Sequence, residues 1–207
     1  MVTGIPMKKI VVCILITFGC VSLAQAAGDA AAGQGQTALC AACHGADGNS
    51  MVGNFPKLAG QGERYLIKQM NDIRSGARSV PEMTGMLNNM DDQTIANIAA
   101  YFAAQTGSVG AAKPELVAAG EMLYRAGNAA KSIAACSACH SPTGSGNAQA
   151  GFPALGGQHA DYTVKQIKAF RTETRTNDDA NIMRQVAALM SDKEIEAVAS
   201  YIQGLSK

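Results

Sequence analysis

The sequence predicts an all-α protein in which one helical module is built twice. Three observations carry this. Apolar residues recur at helical spacing, as in Tyr65, Leu66, Met70 and Ile73, while no segment alternates convincingly over strand length. The second half restates the first: Phe55-Pro56-Lys57-Leu58-Ala59-Gly60-Gln61 returns 97 residues later as Phe152-Pro153-Ala154-Leu155-Gly156-Gly157-Gln158. Between the copies, the run 107–114 (Gly-Ser-Val-Gly-Ala-Ala-Lys-Pro) breaks any helix and reads as a linker.

The chain opens with the pattern of a secretory signal, residues 1–26. Lys8 and Lys9 form a basic start, Ile10 to Val21 is almost wholly apolar, and Ala24-Gln25-Ala26 is a small-residue cleavage site. The apolar run is short for a transmembrane span of about 20 residues. Cleavage after Ala26 removes Cys13 and Cys20 and leaves four cysteines. The remaining chain carries 15 basic and 16 acidic side chains, because Lys8 and Lys9 are lost from 17. Residues 27–106 hold 5 basic and 7 acidic groups, residues 107–207 hold 10 and 9. That balance excludes the strongly basic surface that nucleic-acid binding needs.

The helices follow in order. Ala30 to Leu39 leads into the first cysteine motif, and Pro114 to Tyr124 heads the second copy. Residues 63–75 and 160–171 are amphipathic, with Tyr65, Lys68 and Gln69 returning as Tyr162, Lys165 and Gln166. The closing helices are the clearest. Asp91 or Asp92 caps the first, and Ser191 with Glu194 forms a capping box for the second. Here the repeat offset becomes 100: Asp92, Ile95, Ile98 and Tyr101 match Asp192, Ile195, Val198 and Tyr201. The expected units are residues 27–106 and 115–207, joined by 107–114.

All four remaining cysteines lie in two copies of C-x-x-C-H: Cys40-Ala41-Ala42-Cys43-His44 and Cys136-Ser137-Ala138-Cys139-His140. This is the attachment signature of haem c. The two thiols add to the porphyrin vinyl groups, and the adjacent histidine lies under the ring and binds iron. A dithiol redox pair needs no trailing histidine, and a zinc site built from both pairs would leave the histidines surplus. The expected cofactors are therefore two haem c groups with iron.

Each iron needs a second axial donor. The one further histidine, His159, aligns with Gly62, so a symmetric bis-histidine arrangement is excluded, and His159 is expected at a surface or helix start. Methionine sulfur is a soft neutral donor that favours Fe(II). At the offset of 100, Met83 pairs with Met183 and Met90 with Met190, whereas Met86 faces Val186. Met90 and Met190 sit directly before the closing helix, where a hydrophobic staple explains them. Met83 and Met183 lie earlier, in an expected loop stiffened by Pro81 in the first copy, and are the favoured ligands. Most other methionines are expected to fill core.

With these motifs in hand, the chain resembles class I cytochromes c twice over. Each copy has C-x-x-C-H, then P-x-L-x-G (Pro56 to Gly60; Pro153 to Gly157), then a methionine and an amphipathic closing helix. The tandem arrangement resembles the di-haem cytochrome c4 family over essentially all of residues 27–207. Strings such as Glu82-Met83-Thr84-Gly85-Met86-Leu87 and Arg175-Thr176-Asn177-Asp178 carry that resemblance. It implies two tandem class I cytochrome c domains packed around two covalent haems. It also implies an exported, periplasmic electron carrier between a quinol-oxidising complex and a terminal oxidase, with peripheral association to the inner membrane left open. It further implies that the Pro56 and Pro153 carbonyls accept hydrogen bonds from His44 and His140, and that Gly33 and Gly120 allow close helix crossings near Tyr101 and Tyr201. A monomer with two pseudo-symmetric domains is expected, and no enzyme activity. The alternatives are a di-haem peroxidase-like enzyme and a cytochrome subunit of a larger membrane complex.

Overall fold

The computed structural model describes Met1 and residues 28–206. The signal segment, its cleavage site, Cys13 and Cys20 fall outside the described residues. Among the described residues the chain forms nine α-helices, a few short 3₁₀ turns and no strand beyond two isolated bridges.

The first half begins with α1 (Ala30–Gln36), capped by Asp29, whose carboxylate accepts from Ala31 N and Ala32 N. The expected continuous lead-in is instead broken at Thr37. The hydroxyl of this buried residue donates to Gln34 O at 2.9 Å, and α2 (Ala38–His44) then carries the first motif. This is the local competition that short hydroxyl side chains offer a helix backbone. Next come α3 (Glu63–Ser75) and α4 (Asp92–Ala103), the latter capped by Asp91 accepting from Thr94 N at 2.8 Å.

The second half repeats the plan. It comprises α5 (Pro114–Ala126), α6 (Ser137–His140), α7 (Ala160–Arg171), α8 (Ile182–Ala188) and α9 (Asp192–Gly204). Sixteen positions separate Gly120 from Cys136, against seven from Gly33 to Cys40. The extra residues form a 3₁₀ turn at Ala129–Lys131 and an Asn128–Ile133 bridge. Ser191 and Glu194 make the capping box of α9.

Each half is closed by its first helix crossing its last. A Cβ at Gly33 would sit 2.0 Å from Asn97 O and 3.0 Å from the Tyr101 Cβ. At Gly120 it would sit 2.3 Å from Ala197 O and 2.6 Å from the Tyr201 Cβ. Only glycine permits these backbones to touch. Apolar clusters then form under the crossings: Leu66, Ile98, Ala99 and Phe102 in one half, and a larger set around Tyr124, Ile167, Phe170, Val198 and Ile202 in the other.

The two halves meet across a reciprocal seam. Gln61 Nε2 donates to Ala154 O at 2.9 Å, and Ala154 N donates to Gln61 Oε1 at 2.7 Å. Gln158 Nε2 donates to Lys57 O, and Lys57 N donates to Gln158 Oε1, both at 2.9 Å. Gln61 grips Ala154 while its repeat, Gln158, grips Lys57, the repeat of Ala154, the pattern of a two-fold interface.

Candidate haem site

The C-x-x-C-H motifs sit at the ends of α2 and α6, followed by Gly45 (φ 81°) and Ser141 (φ 68°). These positive φ values turn the chain away and leave each histidine pointing into the protein. His44 Nδ1 lies 2.9 Å from Pro56 O, and His140 Nδ1 lies 2.9 Å from Pro153 O. A carbonyl only accepts, so Nδ1 carries the proton in both rings and the Nε2 lone pair is left for a metal. Burial pushes both imidazoles below their ordinary pKa, against the smaller opposing effect of the carbonyl bond. Phe55 and Phe152 pack edge-on to these rings at 6.4 Å and 6.3 Å.

A connected cavity of about 580 Å³ runs beside these motifs and is lined from both halves. Its walls include all four cysteines, both histidines, and Met83, Met90, Met183 and Met190. Most of the rest is apolar, with Leu58, Leu66, Val80 and Ile98 among the lining. A large flat apolar group bearing two thioether links and a metal fits this lining. A zinc site does not. Burial pushes the Cys40 thiol up and the Cys136 thiol to about 11. Among the described residues, no three Cys, His, Asp or Glu groups converge as a metal cluster.

The four candidate methionines differ in setting. Met190 is buried, and Met90 packs against the Leu66–Phe102 cluster before its helix. Their carbonyls accept from Arg74 (2.7 Å) and Arg171 (3.0 Å), which also pair with Asp92 and Asp192 at 2.6 Å. The two arginines thereby tie the backbone before each closing helix to its first turn. Met83 closes the 3₁₀ turn Pro81–Met83 at the cavity wall. Met183 differs from the expected loop residue: it lies in the first turn of α8, where Asp178 accepts from Arg184 N at 3.0 Å. The repeat offset changes from 97 at Arg175 to 100 at Met183, so three extra residues precede this helix in the second copy. Of the remaining methionines, Met70 fills core, but Met51 and Met122 are 93% and 64% exposed and Met86 is also exposed, contrary to the expected filler role. His159 stands at the start of α7, with Nε2 2.8 Å from Ser50 O.

Sequence reasoning missed a ring of polar groups at the seam. Arg78 donates to Gln69 Oε1 (2.8 Å), Tyr162 OH (3.0 Å) and Gln166 Oε1 (3.1 Å). Arg175 answers with Gln166 Oε1 (2.7 Å), Tyr65 OH (3.2 Å) and Gln69 Oε1 (2.9 Å). Both arginines are buried, at 8% exposure, both line the cavity, and among the described residues neither has a carboxylate within salt-bridge distance. The signal was present: Arg78 and Arg175 stand 97 apart, the same offset as the neighbouring tyrosines and glutamines.

The fold and this doubled donor set define a c-type cytochrome with two haem-binding modules. The family described as Cytochrome c matches residues 30–105 and again 117–206. Cytochrome c4 of Pseudomonas aeruginosa is 62% identical over 200 residues, covering 96% of this chain and all of that protein. The crystal structure of reduced recombinant cytochrome c4 from Pseudomonas stutzeri superposes with a TM-score of 0.85 at 58% identity, over 86% of this chain and all of that one. A thiosulfate dehydrogenase electron acceptor of Stutzerimonas stutzeri is 40% identical over 172 residues, covering 81% of this chain and 79% of that protein. The chain belongs to the di-haem cytochrome c4 family. It carries two covalently bound haem c groups and acts as an electron carrier.

Proposed function

We propose that His44 and Met83 hold one iron and His140 and Met183 the other. Cys40, Cys43, Cys136 and Cys139 are the thioether anchors, and Pro56 and Pro153 orient the two histidines. The modules are residues 27–106 and 115–207, joined by 107–114. The observation that carries this reading is the connected cavity lined by the same Cys, His and Met donors from both halves. Bound haem supplies a one-electron couple at iron. The protein's part would be to give each iron one histidine and one methionine, so that no substrate site opens and little rearrangement accompanies electron transfer. Thioether ligation favours Fe(II), while the Pro carbonyl bonds increase the basicity of each imidazole. The buried, carboxylate-free guanidiniums of Arg78 and Arg175 suit the haem propionates.

In this reading the carrier is exported to the periplasm and works as a monomer, relaying electrons from a quinol-oxidising complex towards a terminal oxidase. Association with the inner membrane would be peripheral; no helix of the described residues is long and apolar enough to cross a membrane. A second donor is favoured by one specific likeness, to the electron acceptor of thiosulfate dehydrogenase. Steady-state reduction by a purified quinol-oxidising complex and by a thiosulfate dehydrogenase separates the two.

The ligand assignment is tested by Met83→Leu and Met183→Leu. Each should remove the far-red sulfur-to-iron band of one haem and lower that haem's potential. Loss of the band in Met90→Leu instead would overturn the assignment.

A further inference from the structure

The seam does more than join the modules. Pro153 O and Ala154 N–H belong to one peptide unit, which is planar and trans. At its oxygen end this unit accepts from His140 Nδ1 at 2.9 Å. At its N–H end it donates to Gln61 Oε1 at 2.7 Å. Gln61 comes from the other module. The repeat builds the mirror image: the Pro56–Lys57 peptide accepts from His44 Nδ1 at 2.9 Å and donates to Gln158 Oε1 at 2.9 Å.

We infer that Gln61 is a positioning residue for the His140 iron, and Gln158 for the His44 iron, each acting across the seam through one peptide group. Three features support the relay. The peptide is rigid, so fixing its N–H direction fixes its C=O direction. An N–H that donates polarises its own carbonyl and makes it a better acceptor, as in any hydrogen-bonded chain. Both glutamines are buried, at 7% and 8% exposure, and each amide is held at both ends. The Oε1 atoms also accept from Gly62 N and His159 N, and the Nε2 atoms donate to Ala154 O and Lys57 O. The amide orientation therefore has no alternative.

The chemical consequence has a sign. A stronger carbonyl acceptor draws the Nδ1 proton and makes the imidazole more anionic, which favours Fe(III). Removing the glutamine weakens the acceptor and raises the potential of the iron in the opposite module. The inference rests on the proposed histidine ligation.

The test is a haem-resolved redox titration of the di-haem protein, followed by NMR of the iron-shifted ring signals. The parent protein checks the ligation itself. His44 and His140 signals shifted by their irons are expected, and their absence would remove the basis of the inference before any variant is made. Gln61→Met is then expected to raise the midpoint of the His140 haem and leave the other in place. Gln158→Met is expected to do the reverse. Gln61→Glu, a stronger acceptor at the same site, covers the case where Gln61→Met does not fold: it should lower the His140 haem more than its neighbour. A shift confined to the variant's own module, equal shifts of both haems in both variants, or no shift would each overturn the crossed relay.

Discussion

At the scale of single residues, Glu194 shows how one side chain can tie two ends of a module. Its carboxylate accepts from Lys131 Nζ (2.9 Å) and Asn128 Nδ2 (3.0 Å) in the inserted turn and from Ser191 N (2.8 Å) at its own helix cap. The Lys131 bond, with those of Ser191, brings its pKa down from 4.5 to about 2. A carboxyl whose pKa falls on folding adds stability above its unfolded value and loses it as pH drops through the folded value. Glu194→Gln should therefore lower the melting temperature at neutral pH and flatten its decline between about pH 4.5 and 2. Parallel melting curves of the two proteins across that range would contradict this. The residues that carry the site divide by legibility. The cysteines and histidines were readable because haem attachment demands a fixed local spacing, and the proposal of Met83 rests on its repeat partner standing in register. Gln61, Gln158, Arg78 and Arg175 stood in the same repeat, but their roles are made by contacts about a hundred positions away, which spacing alone does not reveal.

At the scale of elements, the crossings of α1 with α4 and α5 with α9 hold each module shut. Gly33→Ala and Gly120→Ala each place a methyl inside van der Waals distance of a helix backbone. Overpacking of this kind costs about 1–3 kcal/mol, read as a lower denaturation midpoint. Gly35, on the same helix as Gly33, has nothing within 4 Å, so Gly35→Ala should be neutral or stabilising. The bounds of α3 and α7 were legible from amphipathic spacing, and the starts of α4 and α9 from their caps. Two details were not. The break at Thr37 arises from a hydroxyl bond to Gln34 O. The short helix that holds Met183, where Arg184 N donates to Asp178, has no counterpart in the Pro81–Met83 turn of the first module.

At the scale of the whole molecule, the seam makes two cytochrome modules into one electron carrier. Its polar core is built from matched pairs, with Arg78 held by groups of the second module and Arg175 by groups of the first. Buried cations beside both cavity halves favour the reduced, less positive irons. Arg78→Leu is accordingly expected to lower both midpoint potentials, measured by spectroelectrochemical titration; an effect on one haem alone would show that the seam does not share its charge. The central claim is that both irons are closed by His and Met and that neither serves as a substrate site. Carbon monoxide binding to the fully reduced protein, followed by rapid mixing, tests it most directly. Two closed sites predict slow, partial binding at both haems. Rapid, complete binding at one haem would contradict the account and show that iron open to an exogenous ligand, as the peroxidase-like alternative requires.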